Sequence, residues 1–254
     1  MDERKHLPRY INFLAPVIMI LFLFALWEIL INTFDIKPVY VPKPTLIFTC
    51  LWENFAEIAP HLKDTLFTIL SGYLIAVPLG ILLAAFITNY KLISDALNPF
   101  IIILVTTPLM TLMPILCVWL GFDLRVRIIG TVIQCFPIIN MNSCTGMLNV
   151  PSMRIELMQS LKANRIQRFF RVTFLSALPD IFTGLRLGSI FATTGCIAVE
   201  YVTSNSGLGN RIQYYTSFYK TEYAFACIFL VAIIGITLYS IITLLEKRIM
   251  RWKI

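Results

Sequence analysis

The charged residues with the most regular pattern in this 254-residue chain fall in one stretch, 150–179, which reads VPSMRIELMQSLKANRIQRFFRVTFLSALP. Arg154, Glu156, Lys162, Arg165, Arg168 and Arg171 stand there between two apolar segments. A stretch this polar cannot lie in hydrocarbon, where each charge costs about 2.5–3.5 kcal/mol or more. It must sit in water at one membrane face. Leu157, Met158 and Leu161 follow i, i+1, i+4 spacing, and Ile166, Phe169 and Phe170 follow a similar one. Arg165, Arg168 and Arg171 recur every three residues, roughly on the opposite face. The pattern predicts helix within 152–171, with Ser152 capping the first turn and Asn164 breaking the run into a helix-turn-helix hairpin. The chemistry is recognition rather than bond-making. Such an amphipathic element either docks in a hydrophobic groove of a partner protein or lies on anionic lipid through its basic face.

A second pair of charges sits in the apolar segment that follows. Arg186 and Glu200 share a helix face, and at 1.5 Å per residue they are about 21 Å apart, too far to pair. Charges within membrane spans face the protein interior or an aqueous path, unless they snorkel to the interface. Glu200 is therefore expected either to line a path or to hold the nearby loop Gly207-Leu208-Gly209. Glu28 reads as a structural anchor near the end of the first apolar block. Thr193, Thr194 and Gly195 are small enough to let another helix approach closely. Tyr214, Tyr215, Phe218, Tyr219 and Tyr223 are expected to form an interfacial aromatic belt or to touch an outer partner.

Other chemistry finds no support. The six cysteines, Cys50, Cys117, Cys135, Cys144, Cys196 and Cys227, have no CxxC spacing and are expected to be buried reduced thiols. His6 and His61 stand apart, which argues against a zinc site and against a Ser/His/Asp or Cys/His arrangement. No GxxxxGK[ST] occurs, so the chain is not itself an ATPase. Neither a cofactor nor a metal is expected.

The elements that must position these residues are membrane spans. The chain is 58% hydrophobic and only 14% charged, with mean hydropathy +0.79, against roughly 25% charged in soluble domains. The apolar residues come in blocks of the length a bilayer demands, about 20 residues per helix. The prediction is an all-α polytopic protein: a cytoplasmic segment 1–10, then one transmembrane domain, 11–254. Its six spans lie at about 11–34, 65–88, 97–120, 128–148, 180–202 and 223–245, with a short surface helix at 46–59 and polar loops at 150–179 and 203–222. The first block is too long for a signal-peptide core and is read as an anchor. Six spans put both termini on one side. Arg4, Lys5, Arg9, Lys91, the five basic residues of 150–179, Arg186 and the basic tail from Lys247 lie there and outnumber the basic residues opposite, so that side is cytoplasmic. The same distribution accounts for the net charge of +7 without nucleic acid.

The sequence also resembles the membrane-spanning permease subunits of bacterial ABC importers. Their cytoplasmic loop carries Glu-Ala-Ala, then Gly three residues on, then Ile-x-Leu-Pro. Here Glu156 matches the Glu, Leu157 and Met158 replace the alanines, and Leu161 precedes Lys162, which takes the place of the Gly. Val172, Phe174 and Leu175 take the Ile, Leu and first Pro positions. Ala177-Leu178-Pro179, Thr183-Gly184-Leu185-Arg186, and Glu200 followed by Ser206-Gly207-Leu208-Gly209 fit better. With Trp119-Leu120-Gly121-Phe122, Pro137, Glu246-Lys247-Arg248 and Trp252, they resemble the nitrate, sulfonate and taurine branch. The likeness covers about 65–252.

The resemblance implies a type I importer permease in a bacterial inner membrane, importing a small polar solute of nitrate, sulfonate or taurine type. A thiamine precursor or a riboflavin-like vitamin is the alternative solute, and an autonomous secondary transporter the alternative class. It further implies ABC ATPase subunits, a second permease subunit (a homodimer), an extracytoplasmic substrate-binding protein and membrane lipid as partners. The ATPase-coupling loop would use Glu156, Leu157, Met158, Leu161, Lys162, Ala163 and Arg165. The translocation path or dimer interface would use Arg186, Thr193, Thr194, Glu200, Gly207 and Gly209. A Gly permits positive φ, so Lys162 in its place is expected to alter the turn between the two short helices.

Overall fold

The computed structural model describes residues 9–203 and 205–250. Most of the expected N-terminal segment 1–10, and Trp252 with the end of the basic tail, lie outside the described residues. The described chain is all-helical. The elements are α1 (Arg9–Thr33), α2 (Pro44–Glu53), α3 (Phe55–Asn89), α4 (Lys91–Thr106), α5 (Leu109–Leu120), α6 (Leu124–Leu148), α7 (Ser152–Ser160), α8 (Arg165–Arg168), a π-helical turn (Phe169–Thr173), α9 (Phe174–Thr203), α10 (Leu208–Ser217) and α11 (Thr221–Ile249).

Among the described residues, α3, α6, α9 with its preceding turns, and α11 are each long and apolar enough to cross a bilayer. The expected third span is not one helix. Pro108 has no N–H and disfavours helix at the residue before it, and Thr107 and Pro108 are extended. The chain bends there by 105° between α4 and α5. The Thr106 and Thr107 hydroxyls donate to the carbonyls of Ile102 and Ile103, at 2.9 and 2.7 Å, which helps to satisfy the broken helix end. Leu109 lies beside Gly195 and Gln134, and Met113 beside Gly130 and Val199, nearer the far end of α9. Taken as one broken span, the bent pair brings the number to five, and α1 adds the shorter apolar stretch Val17–Thr33. The surface helix expected at 46–59 is divided between α2 and α3, and α3 begins at Phe55, before the expected second span, with Pro60 and Pro78 within it.

Helix α6 is the centre of the bundle, with α3 on one side and α9 on the other. Lipid gives little hydrophobic drive for helices to associate, so close van der Waals contact must hold them. Glycines provide it. Gly72 and Gly80 of α3 face Thr131 and Ile139 of α6; Gly184, Gly188 and Gly195 of α9 face Asn142, Ile139 and Gln134. Polar cross-links reinforce the contact: Asn140 Nδ2 donates to the Gly80 carbonyl at 3.1 Å, and the Tyr73 hydroxyl to that of Leu185 at 2.8 Å. Helix α11 packs on α9. On its outer side Trp27 of α1 and Phe48 of α2 stack against Phe225 and Phe229. Glu28 anchors α2 by accepting from the backbone N–H and hydroxyl of Thr45, at 3.2 and 2.8 Å. A carboxylate at a helix N-terminus is favoured by the unpaired N–H groups there.

A β-carbon at Gly72 would lie 2.8 Å from Thr131 Cβ, whereas one at Gly235 would meet nothing closer than 3.8 Å. Gly72→Ala is expected to destabilise the bundle by about 1–3 kcal/mol. Gly235→Ala is expected to be neutral or to stabilise by about 0.5–1 kcal/mol. Thermal melts of the two variants in detergent check this ordering.

Candidate functional site

The polar loop between α6 and α9 folds as two short helices. Pro151 precedes the first, α7, without a side-chain cap, and Ser152 is its first helical residue rather than its cap. The helix ends in a Schellman turn: the Ala163 N–H bonds the Met158 carbonyl at 3.0 Å and the Lys162 N–H bonds that of Gln159 at 2.9 Å. This turn needs one left-handed residue, and Lys162 supplies it at φ 54°. The lysine thus takes up the left-handed conformation that a glycine adopts without strain. Asn164 caps α8 through a capping box with Gln167, with bonds of 2.8 and 3.0 Å. The hairpin break therefore falls at 161–164. Phe169, Phe170 and Phe174 then cluster where the π-helical turn feeds α9, and Arg154 Nη1 donates to Ser176 Oγ at 3.1 Å, tying α7 to α9.

Most of α7 is exposed, polar residues included, and an apolar stripe runs along it. Met153, Leu157 and Leu161, at four-residue spacing, are 75%, 60% and 68% exposed. Met158 and Ala163 are half-buried, and Glu156 is exposed with no ion pair among the described residues. The sequence pattern grouped Met158 with the stripe and missed Met153, although the 153/157/161 spacing carried the signal. Ile166 and Phe170 are exposed on the next turns, as are Arg165 and Arg171; Arg168 is half-buried. Exposed apolar groups rimmed by charge on a water-facing loop have the character of a docking surface.

The opposite end of the bundle is closed by a buried carboxylate. Glu200 has no exposed surface. It accepts from the Thr65 hydroxyl at 2.8 Å, the Gly209 N–H at 3.0 Å and the Cys196 thiol at 3.6 Å, and Arg127 Nη1 lies 3.8 Å away. Thr65 Oγ1 in turn accepts from the Leu208 N–H at 2.8 Å. Gly207 (φ 99°) leaves no room for a side chain, because a β-carbon would fall onto the Glu200 carboxyl group. A β-carbon on Gly209 would lie 2.6 Å from the Ile197 carbonyl. The N–H of Gly207 and Nε of Arg211 both point at nitrogens of His61, at 3.2 and 2.7 Å. A neutral imidazole accepts one such bond and a protonated ring accepts neither. Helix α10 continues the closure. Tyr215 is buried and donates to Glu57 Oε1 at 2.8 Å, so it leaves the expected aromatic belt. Burial, and then its bond to Glu57, push its phenol up from the usual range. Tyr214, Phe218 and Tyr219 stay exposed.

The residues expected at a path or dimer interface thus separate. Glu200, Gly207 and Gly209 form the closed node just described. Arg186 pairs with Glu246 of α11 and also donates to Thr183 Oγ1 at 3.1 Å, clamping α9 to α11. Thr193 is buried toward Gly235, and Thr194 alone faces outward. Thr65, Arg127, His61 and Arg211 were not singled out by sequence. Thr65 stands 135 residues from Glu200, and no local pattern links them. The described residues contain no group of His, Cys, Asp and Glu able to hold a metal. The cysteines are free, and burial pushes the Cys50 thiol up to about 11.

Residues 76–251 match a family described as binding-protein-dependent transport system inner membrane component. Among curated proteins, the chain is 27% identical over 241 residues to the formylaminopyrimidine transport permease protein ThiX of Halalkalibacterium halodurans, covering 94% of this chain and 96% of that one. It is 26% identical to the putative aliphatic sulfonates transport permease protein SsuC of Bacillus subtilis, covering 94% and 86%. Among solved structures, an inward-facing form of the MetNI methionine ABC transporter superposes with TM-score 0.58 at 20% identity, over 79% of this chain and 96% of that chain, a likeness of fold.

Thr65→Val would leave the Leu208 N–H without its acceptor and remove a donor from Glu200. A loss of about 1–3 kcal/mol per stranded group is expected, read as a lower melting temperature and faster proteolysis within 205–217. Lys162→Gly is expected to stabilise the loop by up to about 1 kcal/mol by relieving the left-handed lysine, while Lys162→Val, β-branched at positive φ, lowers stability. Paired melting curves decide it; equal melting for both would contradict the strain.

Proposed function

The chain belongs to the family of binding-protein-dependent transport system inner membrane components, and on that premise we propose how it works as the permease subunit of an ABC importer. Two copies form the membrane path, two ATPase subunits drive it, and an extracytoplasmic binding protein delivers the solute. The loop 150–179 and both termini are cytoplasmic, by the distribution of lysine and arginine. The single permease domain runs from 11 to 254, after the short segment 1–10.

One observation carries the coupling role: the exposed stripe Met153, Leu157 and Leu161 on a short helix that the bundle leaves uncovered. Apolar anchors presented at i, i+4 spacing on a helix fit a hydrophobic groove on a partner. Glu156 and Lys162 sit beside the stripe and orient it, Glu156 with its carboxylate free to meet a basic group. Leu157, Met158, Leu161, Ala163 and Arg165 complete the docking loop. Closure of the ATPase pair would move the loop, and with it the start of α9. The outward-facing Thr194 supports a reading in which α9 lies at the path or the dimer contact, with Arg186, Thr193 and Glu200 behind it. The chain itself carries out no covalent step.

The solute is read as small and polar. Relatives are named for aliphatic sulfonates, taurine and nitrate, which supports an oxyanion. Relatives named for formylaminopyrimidine and riboflavin support a vitamin or its precursor as the second reading. Glu200 is engaged on every side by the closed outer node, which favours an ATP-driven subunit over an autonomous carrier built on a mobile carboxylate.

Leu157→Asp with Leu161→Asp places two charges on the exposed stripe, where the bundle itself is untouched. The double variant is expected to fold, judged by melting, and to lose at least tenfold of the ATPase subunit that co-purifies with the wild-type chain. Full retention would remove the docking role.

A further inference from the structure

A groove runs between the inner end of α3 and the α8–π turn, on the far side of the loop from the α7 stripe. Ala85, Phe86 and Tyr90 form one wall, Phe169 and Phe170 the other, and Arg168 lies between them. Its apolar walls belong to the last turns of one span and the approach to another. Its polar floor therefore sits where hydrocarbon gives way to water. Arg165 stands at the rim, and no carboxylate lines the groove. Arg168 Nε is buried without a hydrogen-bond partner, and the guanidinium has no ion pair among the described residues. A buried donor left unpaired costs about 1–3 kcal/mol. Nothing in the chain accepts from Arg168 Nε, and an anion with an apolar body would suit both the charge and the walls.

We propose that this groove binds an anionic phospholipid of the inner leaflet. The phosphate meets Arg168 and Arg165, and an acyl chain lies along Ala85, Phe86 and Phe170. The charge favours this occupant: basic pockets between membrane helices on the cytoplasmic side take anionic headgroups, and each nearby Lys or Arg contributes about 1 kcal/mol at such a surface. The guanidinium's planar donors suit phosphate oxygens. The proposal rests on the cytoplasmic placement of the loop given above; of the docking-loop residues it shares only Arg165, at the rim. Met153, Leu157 and Leu161 do not line the groove.

The test measures phosphatidylglycerol and phosphatidylcholine retained by the full chain, purified with its ATPase from membranes containing both and read by native mass spectrometry. Wild type is expected to keep phosphatidylglycerol preferentially. Arg168→Gln is expected to lower its retention about fivefold, the worth of one basic residue, and Arg168→Lys to keep most of it. Phe86→Ala, which thins the acyl wall without touching charge, should weaken retention as well, so the idea stays testable if Arg168→Gln folds poorly. Arg125→Gln, exposed at the opposite end, should change nothing. Equal retention by wild type and well-folded Arg168→Gln would overturn the proposal. So would displacement of the lipid by millimolar inorganic phosphate, which would make this a simple anion site, or retention only when the ATPase is absent, which would make it the partner's seat. Loss of the ATPase with lipid retention intact would count against the coupling role alone.

Discussion

A carboxylate removed from water must find its donors inside the protein, and at Glu200 that requirement organises one whole end of the bundle. The donors come from three helices, Thr65 on α3, Cys196 on α9 and Gly209 at the start of α10, and Arg127 on α6 adds its charge from salt-bridge distance. A buried ion pair is weak evidence of stability, because desolvation offsets much of the attraction. What the arrangement secures is uniqueness. Only one placement of the 205–209 turn puts two backbone N–H groups where Glu200 and Thr65 can accept them. Only glycine fits at 207 and 209 in that placement. The register of α3, α6 and α9 is thereby set from one end, and the glycine contacts along α6 carry the same register down their length.

The other end is built on the opposite principle. There Arg186 and Glu246 tie α9 to α11, but α7 touches the bundle through little more than Arg154 and its half-buried residues. Apolar and basic groups stay open: the stripe of Met153, Leu157 and Leu161 on one side and the Arg168 groove on another. A single chain has no reason to leave Met153, Leu157 and Leu161 in water unless something covers them in the assembly. At one end most buried polar groups find partners within the chain, with Arg127 Nη1 held only at salt-bridge distance; at the other end apolar and basic side chains stay exposed.

Composition made the membrane class legible, and the polar loop stood out because six charges interrupt an apolar chain. Helix was legible wherever apolar residues ran without interruption, since a bilayer admits little else. Three features escaped. The break at Pro108 was marked by its proline, but Pro60, Pro78, Pro114 and Pro137 are accommodated within helices, so proline alone does not say which span bends. Tyr215 reads like its aromatic neighbours, and only the position of Glu57 on another helix draws it inside. The Glu200 node joins residues more than a hundred positions apart. The sequence pattern indicated that Glu200 needed a role and named the glycine loop as one candidate; it could not supply Thr65, Arg127 or His61, because their proximity exists only after α3, α6 and α9 have packed.

The link between the two ends is α9. It starts beside the docking loop, at the phenylalanine cluster, and finishes at Glu200, a continuous helix of 30 residues, about 45 Å at 1.5 Å per residue. A helix of this kind is stiff along its axis, so a push at Phe174 cannot be absorbed between Gly184 and Gly195. It must either slide α9 along the glycine contacts with α6 or tilt it about them. Sliding would pull the Glu200 carboxylate from Thr65 and Gly209 together, breaking several buried bonds at once. Tilting leaves that end as a pivot and moves the Arg186–Glu246 clamp and α11 with it. The closed node therefore favours rotation about the Glu200 end over sliding. The π-helical turn at 169–173, a local departure from α-geometry of the kind that often marks functional positions, lies where the 150–168 loop joins α9.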